Sequence, residues 1–175
     1  TLLFFGTKGK NVLDKIFIKS EFYRNLSGLE SQAMQTYEVY LKDYDDEWQD
    51  LIQKELDVLN EINNISLEEN ITLLIVAATA PEQIYEQYWE SILELYPPLK
   101  NNTYILSKPN DIVMNFSEEN RIYRLDLVPL FKENPKYLHW PIDGHWNDDG
   151  QLFAEEKVKE YIIENNLIKL SSKAL

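Results

Sequence analysis

Residues 71–92 read ITLLIVAATAPEQIYEQYWESI. Ile71 to Ala78 form a nearly continuous apolar run rich in β-branched residues, the pattern of a strand buried on both faces. Pro81 follows, and from there Ile84, Tyr85, Tyr88, Trp89, Ile92 and Leu93 recur at helical spacing until Pro97-Pro98 stops them. The stretch is therefore strand, proline-bearing turn, helix, the repeating step of an α/β fold.

The same step recurs on either side. Upstream, TLLFF at residues 1–5 is a second short apolar run, stopped by Gly6, and reads as a strand. Residues 7–32 show no sustained period and average out as loop. Residues 33–62 carry apolar side chains at Tyr37, Leu41, Tyr44, Trp48, Leu51, Ile52, Leu56, Leu59 and Ile62, which predicts one long amphipathic helix ending at Asn63-Asn64. Downstream, Ile112, Val113 and Phe116 mark a shorter helix after Lys108-Pro109, and RIYRLDLV at 121–128 reads as a third strand. Leu152, Phe153, Val158, Tyr161 and Ile162 define a closing helix over 149–165, with Asp148 as its N-cap and Gln151 as the reciprocal partner.

The order β, α, β, α, α, β, α predicts a parallel sheet covered by helices, because parallel neighbours need crossover connections. Three strands make a small sheet for so many helices, which implies that others are hidden in residues 6–32 or lie elsewhere. The 175 residues suit one domain, 1–175, without internal repeats. The initial TLLFFG carries no basic n-region or small-residue cleavage site and reads as a strand met in mid-protein.

Composition narrows the function. With 44% hydrophobic residues, eleven Tyr, seven Phe and four Trp, the chain is globular. Its net charge of −13 repels phosphate backbones and anionic membrane surfaces, which argues against a nucleic-acid partner. No apolar run reaches the roughly 18 residues of a membrane span. Without cysteine there is no thiolate nucleophile, disulfide or Cys-ligated metal.

Both histidines of the chain lie in HWPIDGHWNDDG, residues 139–150. The loop leaves a predicted parallel strand, and ligands of open parallel sheets bind at such loops. Asp143 and His145 flank Gly144, whose freedom at positive φ lets two side chains two residues apart approach each other. A carboxylate on the imidazole Nδ1 leaves Nε2 free as a base. The same letters also suit a turn that caps a helix. A metal set of His139, Asp143, His145 and Asp149 is conceivable, but its spacing matches no closed zinc site and no EF-hand.

At these residues the chain resembles the SGNH hydrolases, or GDSL-type esterases. PIDGHWNDDGQLFAEEKVKEYI (141–162) is similar to the family's last block, and residues 71–92 to its fourth strand with the loop and helix beyond. NFSEENRIYRLDLVPLF (115–131) is similar to the helix and strand before the catalytic loop. The resemblance implies a three-layer α/β/α domain with a flavodoxin-like parallel sheet, of which this chain would be the C-terminal portion. It implies His145 as general base and Asp143 as its orienting partner, with Asp-x-His in place of the commoner Asp-x-x-His.

The family's Gly-Asp-Ser nucleophile motif is missing, and GTKGKN stands where Gly-Asn-Asp would fall, leaving Asn11 as a displaced candidate for the oxyanion contact. No serine of the chain follows a buried strand as an exposed nucleophile requires, and FFGTKGKN is too short for a phosphate loop. Gln83, on the loop after Pro81, is a candidate substrate contact. Trp140 and Trp146 either stack on a sugar face or anchor the loop. The implied activity is ester hydrolysis or O-acyl transfer on an acylated carbohydrate or small ester, without cofactor or metal, in the cell envelope or outside the cytoplasm. A module that has lost its nucleophile and an alginate-type O-acetyltransferase are the alternatives.

Overall fold

The computed structural model describes residues 35–141 and 144–168. The expected strand at 1–6, the stretch to residue 32, Asn11 and Asp143 lie outside the described residues. What is described is a mixed α/β arrangement, mostly helical, around a small parallel sheet.

The long helix of 33–62 divides. Residues 35–37 make one turn and Glu38–Tyr40 a 3-10 turn, and then the chain extends. The Lys42 N–H donates to the Thr103 carbonyl (2.9 Å), and the Ile105 N–H to that of Tyr40 (2.7 Å), so Leu41 pairs with Tyr104 instead of continuing the helix. Helix α1, Asp46–Glu68, starts afresh because Asp45 caps it, its carboxylate accepting the Trp48 N–H at 2.9 Å. Nor does Asn63-Asn64 end it. The stop comes at Asn70, at φ 54°, where Ile71 N–H reaches the Ser66 carbonyl (2.7 Å) and Asn70 N–H that of Leu67 (3.2 Å). This is a Schellman cap with asparagine in the left-handed position usually held by glycine.

Strand β1, Leu74–Ala77, pairs in parallel with β2, Tyr123–Asp126, from Leu74 opposite Tyr123 to Ala77 opposite Asp126. Between them run α2 (Pro81–Ile84), α3 (Glu86–Leu95) and α4 (Lys108–Glu119). The helix expected after Pro81 is broken at Tyr85 (φ −112°, ψ 108°), which turns that side chain toward the 139–147 loop. The third strand is shorter than RIYRLDLV. Asp126 caps helix α5, Leu127–Glu133, by accepting the Val128 N–H at 3.0 Å, so Leu127 and Val128 belong to a helix. Helix α6, Asp148–Glu164, is capped by Asn147, whose Oδ1 accepts the Gly150 N–H at 2.8 Å, and not by Asp148.

The core gathers where α5, α6 and the chain before the loop converge: Leu127, Phe131, Leu138 and Ala154 are buried, with Ile84, Leu125, Leu130, Trp146 and Phe153 packed around them. The Phe131 ring lies 5.3 Å from those of both Trp146 and Phe153. Apolar burial thus fixes the base of the loop that carries both histidines.

Candidate functional site

Residues 138–141 and 144–147 run antiparallel to each other. His139 bridges Trp146 in antiparallel fashion, the Trp140 N–H donates to the His145 carbonyl at 2.6 Å, and the Asn147 N–H to that of Leu138 at 3.0 Å. The Gly144 N–H closes the tip onto the Trp140 carbonyl at 3.2 Å. Gly144 sits at φ +73°, and a Cβ there would stand 3.3 Å from Pro81 Cγ, so both backbone and space favour glycine. Gly150 is needed for space alone: its Cβ would meet the Leu138 carbonyl oxygen at 2.1 Å.

This antiparallel pair is seated on the segment that leaves β1. Trp146 Nε1 donates to Thr79 Oγ1 at 2.9 Å, and Thr79 Oγ1 lies 3.0 Å from His139 Nε2. The other ring nitrogen, His139 Nδ1, lies 3.2 Å from the Tyr85 hydroxyl, which also accepts the Leu138 N–H at 2.8 Å. His139 is fully buried, and desolvation holds its pKa below the ordinary histidine value. With both nitrogens engaged it locks the loop's base. Asp149 pairs with Lys136 Nζ at 3.1 Å. Among the described residues no three His, Asp or Glu side chains gather as ligands.

His145 is exposed and follows Gly144, the residue beside Pro81. Trp146 is half-buried with its indole N–H engaged, which makes it an anchor; Trp140 is the tryptophan left outside.

Gln83 is buried, and its amide is fully used. Its Oε1 accepts the Ala80 N–H at 2.8 Å, and its Nε2 donates to the Leu106 carbonyl and to Asn110 Oδ1, both at 2.8 Å. Asn110 Nδ2 in turn donates to Asp126 Oδ1 (3.0 Å) and the Ala78 carbonyl (3.2 Å). The expectation that Gln83 touches substrate is corrected: the side chain ties the exits of the two strands together. Neighbouring Glu82 is half-buried, accepts the Tyr40 hydroxyl at 3.1 Å, and has its pKa raised by desolvation. The same burial, with Glu82 beside it, raises that of Tyr40.

Sequence reasoning missed Thr79, Tyr85, Asn110 and Asp126. Thr79 alone carried a signal, a hydroxyl interrupting an apolar run just ahead of Pro81. Neither a protein-family model, nor a curated protein, nor a solved structure matches the chain.

Proposed function

We propose that the chain is the C-terminal part of an SGNH-like, three-layer α/β/α domain that hydrolyses or transfers an O-acyl group of a carbohydrate or small ester. One observation carries the reading: the exposed His145 lies next to Trp146, whose indole N–H is bonded to Thr79, two residues beyond the carboxyl end of parallel strand β1. Acyl transfer needs a base at that place, because the attacking hydroxyl loses its proton as the tetrahedral oxyanion forms. In this reading His145 takes that proton, Asp143 steadies the imidazolium, and a serine from outside these residues attacks. Asn11 is the candidate oxyanion donor. The Gln83–Asn110–Asp126 network ties both strand exits together.

The missing Gly-Asp-Ser favours a second reading, a binding module on the same frame. Fluorophosphonate labelling of the full-length gene product, with hydrolysis of an O-acetyl ester read in parallel, separates the two. Labelling and turnover that both vanish in a folded His145→Ala variant support the enzyme. A folded full-length protein that neither labels nor turns over ester overturns it.

A further inference from the structure

Helix α1 carries an outer apolar stripe whose spacing is that of a helix-packing seam. Leu51, Val58 and Ile65 recur every seven residues and Ile62 follows Val58 by four, with Glu55 in the one remaining place of the pattern. Alternating steps of four and three keep side chains on one side of a helix, where a second helix packs alongside. The four apolar residues are all exposed, from 42% at Ile62 to 56% at Val58, while Asn63 and Ser66 on the adjoining face are buried. The stripe is thus one contiguous apolar face and not scattered exposure, the kind of surface that marks an interaction site.

The neighbouring charges and the backbone restrict what covers it. On one border Ile52, Leu59 and Ser66 are half-buried or buried, and on the other stand Glu61 and Glu68, both exposed. Helix α1 holds seven acidic residues against one lysine, Lys54, and among the described residues no lysine or arginine pairs with Glu55, Glu61 or Glu68. Anionic surfaces are repelled by such a row. An extended chain gains little, because the main-chain groups along the stripe are already bonded within the helix, whereas a second helix brings its own bonds made. A second copy brings the same net charge of −13 and buries two Glu55 carboxylates that no basic residue of the stripe meets. Lysine or arginine beside an apolar ridge answers both features at once.

We propose that the outer face of α1 is a docking seam for a basic amphipathic helix of another protein: leucine-like side chains of the partner meet Leu51, Val58, Ile62 and Ile65, and lysine or arginine meets Glu55, Glu61 and Glu68. The apolar contact supplies the affinity. Glu55, at a place the seam would otherwise fill with an apolar residue, fixes the register by requiring a basic residue opposite it. The partner leans toward Glu61 and Glu68, because the other border faces the protein's own interior. Docking at this face does not depend on acyl transfer at His145.

Fluorescence anisotropy of a labelled synthetic helix of about fifteen residues, the span of the seam, titrated with the full chain tests this. One peptide carries leucines at heptad spacing flanked by lysines, a second has glutamates in place of the lysines, and a third scrambles the first. The basic heptad peptide is expected to bind, and the other two at least about tenfold more weakly. Val58→Gln/Ile65→Gln and, separately, Glu61→Gln/Glu68→Gln each weaken its binding about tenfold, the second pair also reducing the salt dependence. Leu152→Gln, an exposed position on α6, leaves binding unchanged. Circular dichroism identifies a variant that has unfolded, and the other pair then decides. No binding by the wild type, equal binding of the scrambled peptide, or a folded variant pair that binds as the wild type does overturns the proposal. So does a wild-type dimer in sedimentation that becomes monomeric in Val58→Gln/Ile65→Gln, which assigns the seam to a second copy.

Discussion

The corner around the 139–147 loop and the outward face of α1 follow opposite rules. In the corner, buried polar groups are paired with one another: Thr79 with Trp146 and His139, Gln83 with Asn110, and Asn110 with Asp126. On α1, Ile52, Leu56 and Leu59 are half-buried and Asn63 and Ser66 fully so, while Leu51, Val58, Ile62 and Ile65 form a second apolar stripe that is exposed. Val76 and Tyr123 of the small sheet are exposed as well. The corner's geometry is thus closed by directional bonds, whereas the α1 face is apolar surface with no such constraint. Directional networks hold a group in one place, and apolar faces only need cover.

The sharpest way to break the corner is at Gly150. A Cβ there meets the Leu138 carbonyl at 2.1 Å, and backbone cannot swing aside as a side chain does. Gly150→Ala is expected to destabilise the fold by about 3 kcal/mol, through the strain of forcing the loop's base from α6. Chemical denaturation measures this, and a loss below half that figure means the junction yields. Gln83→Ala comes next. It strands the Ala80 N–H, the Leu106 carbonyl and Asn110 Oδ1 in the interior, a loss of about 2 kcal/mol by the usual cost of unsatisfied buried groups. An unchanged denaturation midpoint would mean that water replaces the amide.

Glu82 borders the same corner and works against it. Burial raises its pKa above the ordinary 4.5, so the folded protein binds a proton more tightly than the unfolded chain does. Its contribution therefore favours folding below pH 4.5 and is lost as pH rises through the folded value, leaving a desolvated carboxylate at neutral pH. Glu82→Gln keeps an acceptor for the Tyr40 hydroxyl and removes that charge. Its melting temperature is expected to exceed the wild type's at pH 7, with the two curves meeting below pH 4.5. A variant less stable than wild type at pH 7 would show that the carboxylate is well paired.

The two regions also differ in how much of them the sequence revealed. The strand and turn of 71–92 and the closing helix follow from apolar period and proline position, and those signals are local, whereas helix α5 separates the His145 loop from the strand it was expected to leave. The break at Tyr85 is not, because its backbone is set by a hydroxyl reaching Leu138, 53 residues on. Gln83 read as a loop residue free to meet substrate because nothing nearby announces Leu106 and Asn110 as its partners. The restart at Asp45 and the cap at Asn147 turn on single side-chain oxygens, and residues one place away looked equally able to supply them. The outer stripe on α1 was half legible: Leu51 and Ile62 were counted with the inward residues, because helical period finds apolar positions without saying which of two stripes faces the core.

The smallest expected effect lies on that stripe. Val58 and Ile65 are more than half exposed, so replacing both with glutamine removes little apolar burial, and the energetic change is expected to stay within about 0.5 kcal/mol. Glutamine adds no charge to the acidic surface of α1, and its better helix propensity than valine or isoleucine works against a loss, so neither factor can mimic one. Near-identity of the double variant in denaturation confirms the contrast with Gln83, where one side chain matters more than two. A loss comparable to Gln83→Ala would instead mean that the stripe is covered in solution. The slope of the transition then separates two causes, because a covered stripe adds buried area to the native state and its removal lowers that slope, whereas a local fault in the helix leaves it unchanged.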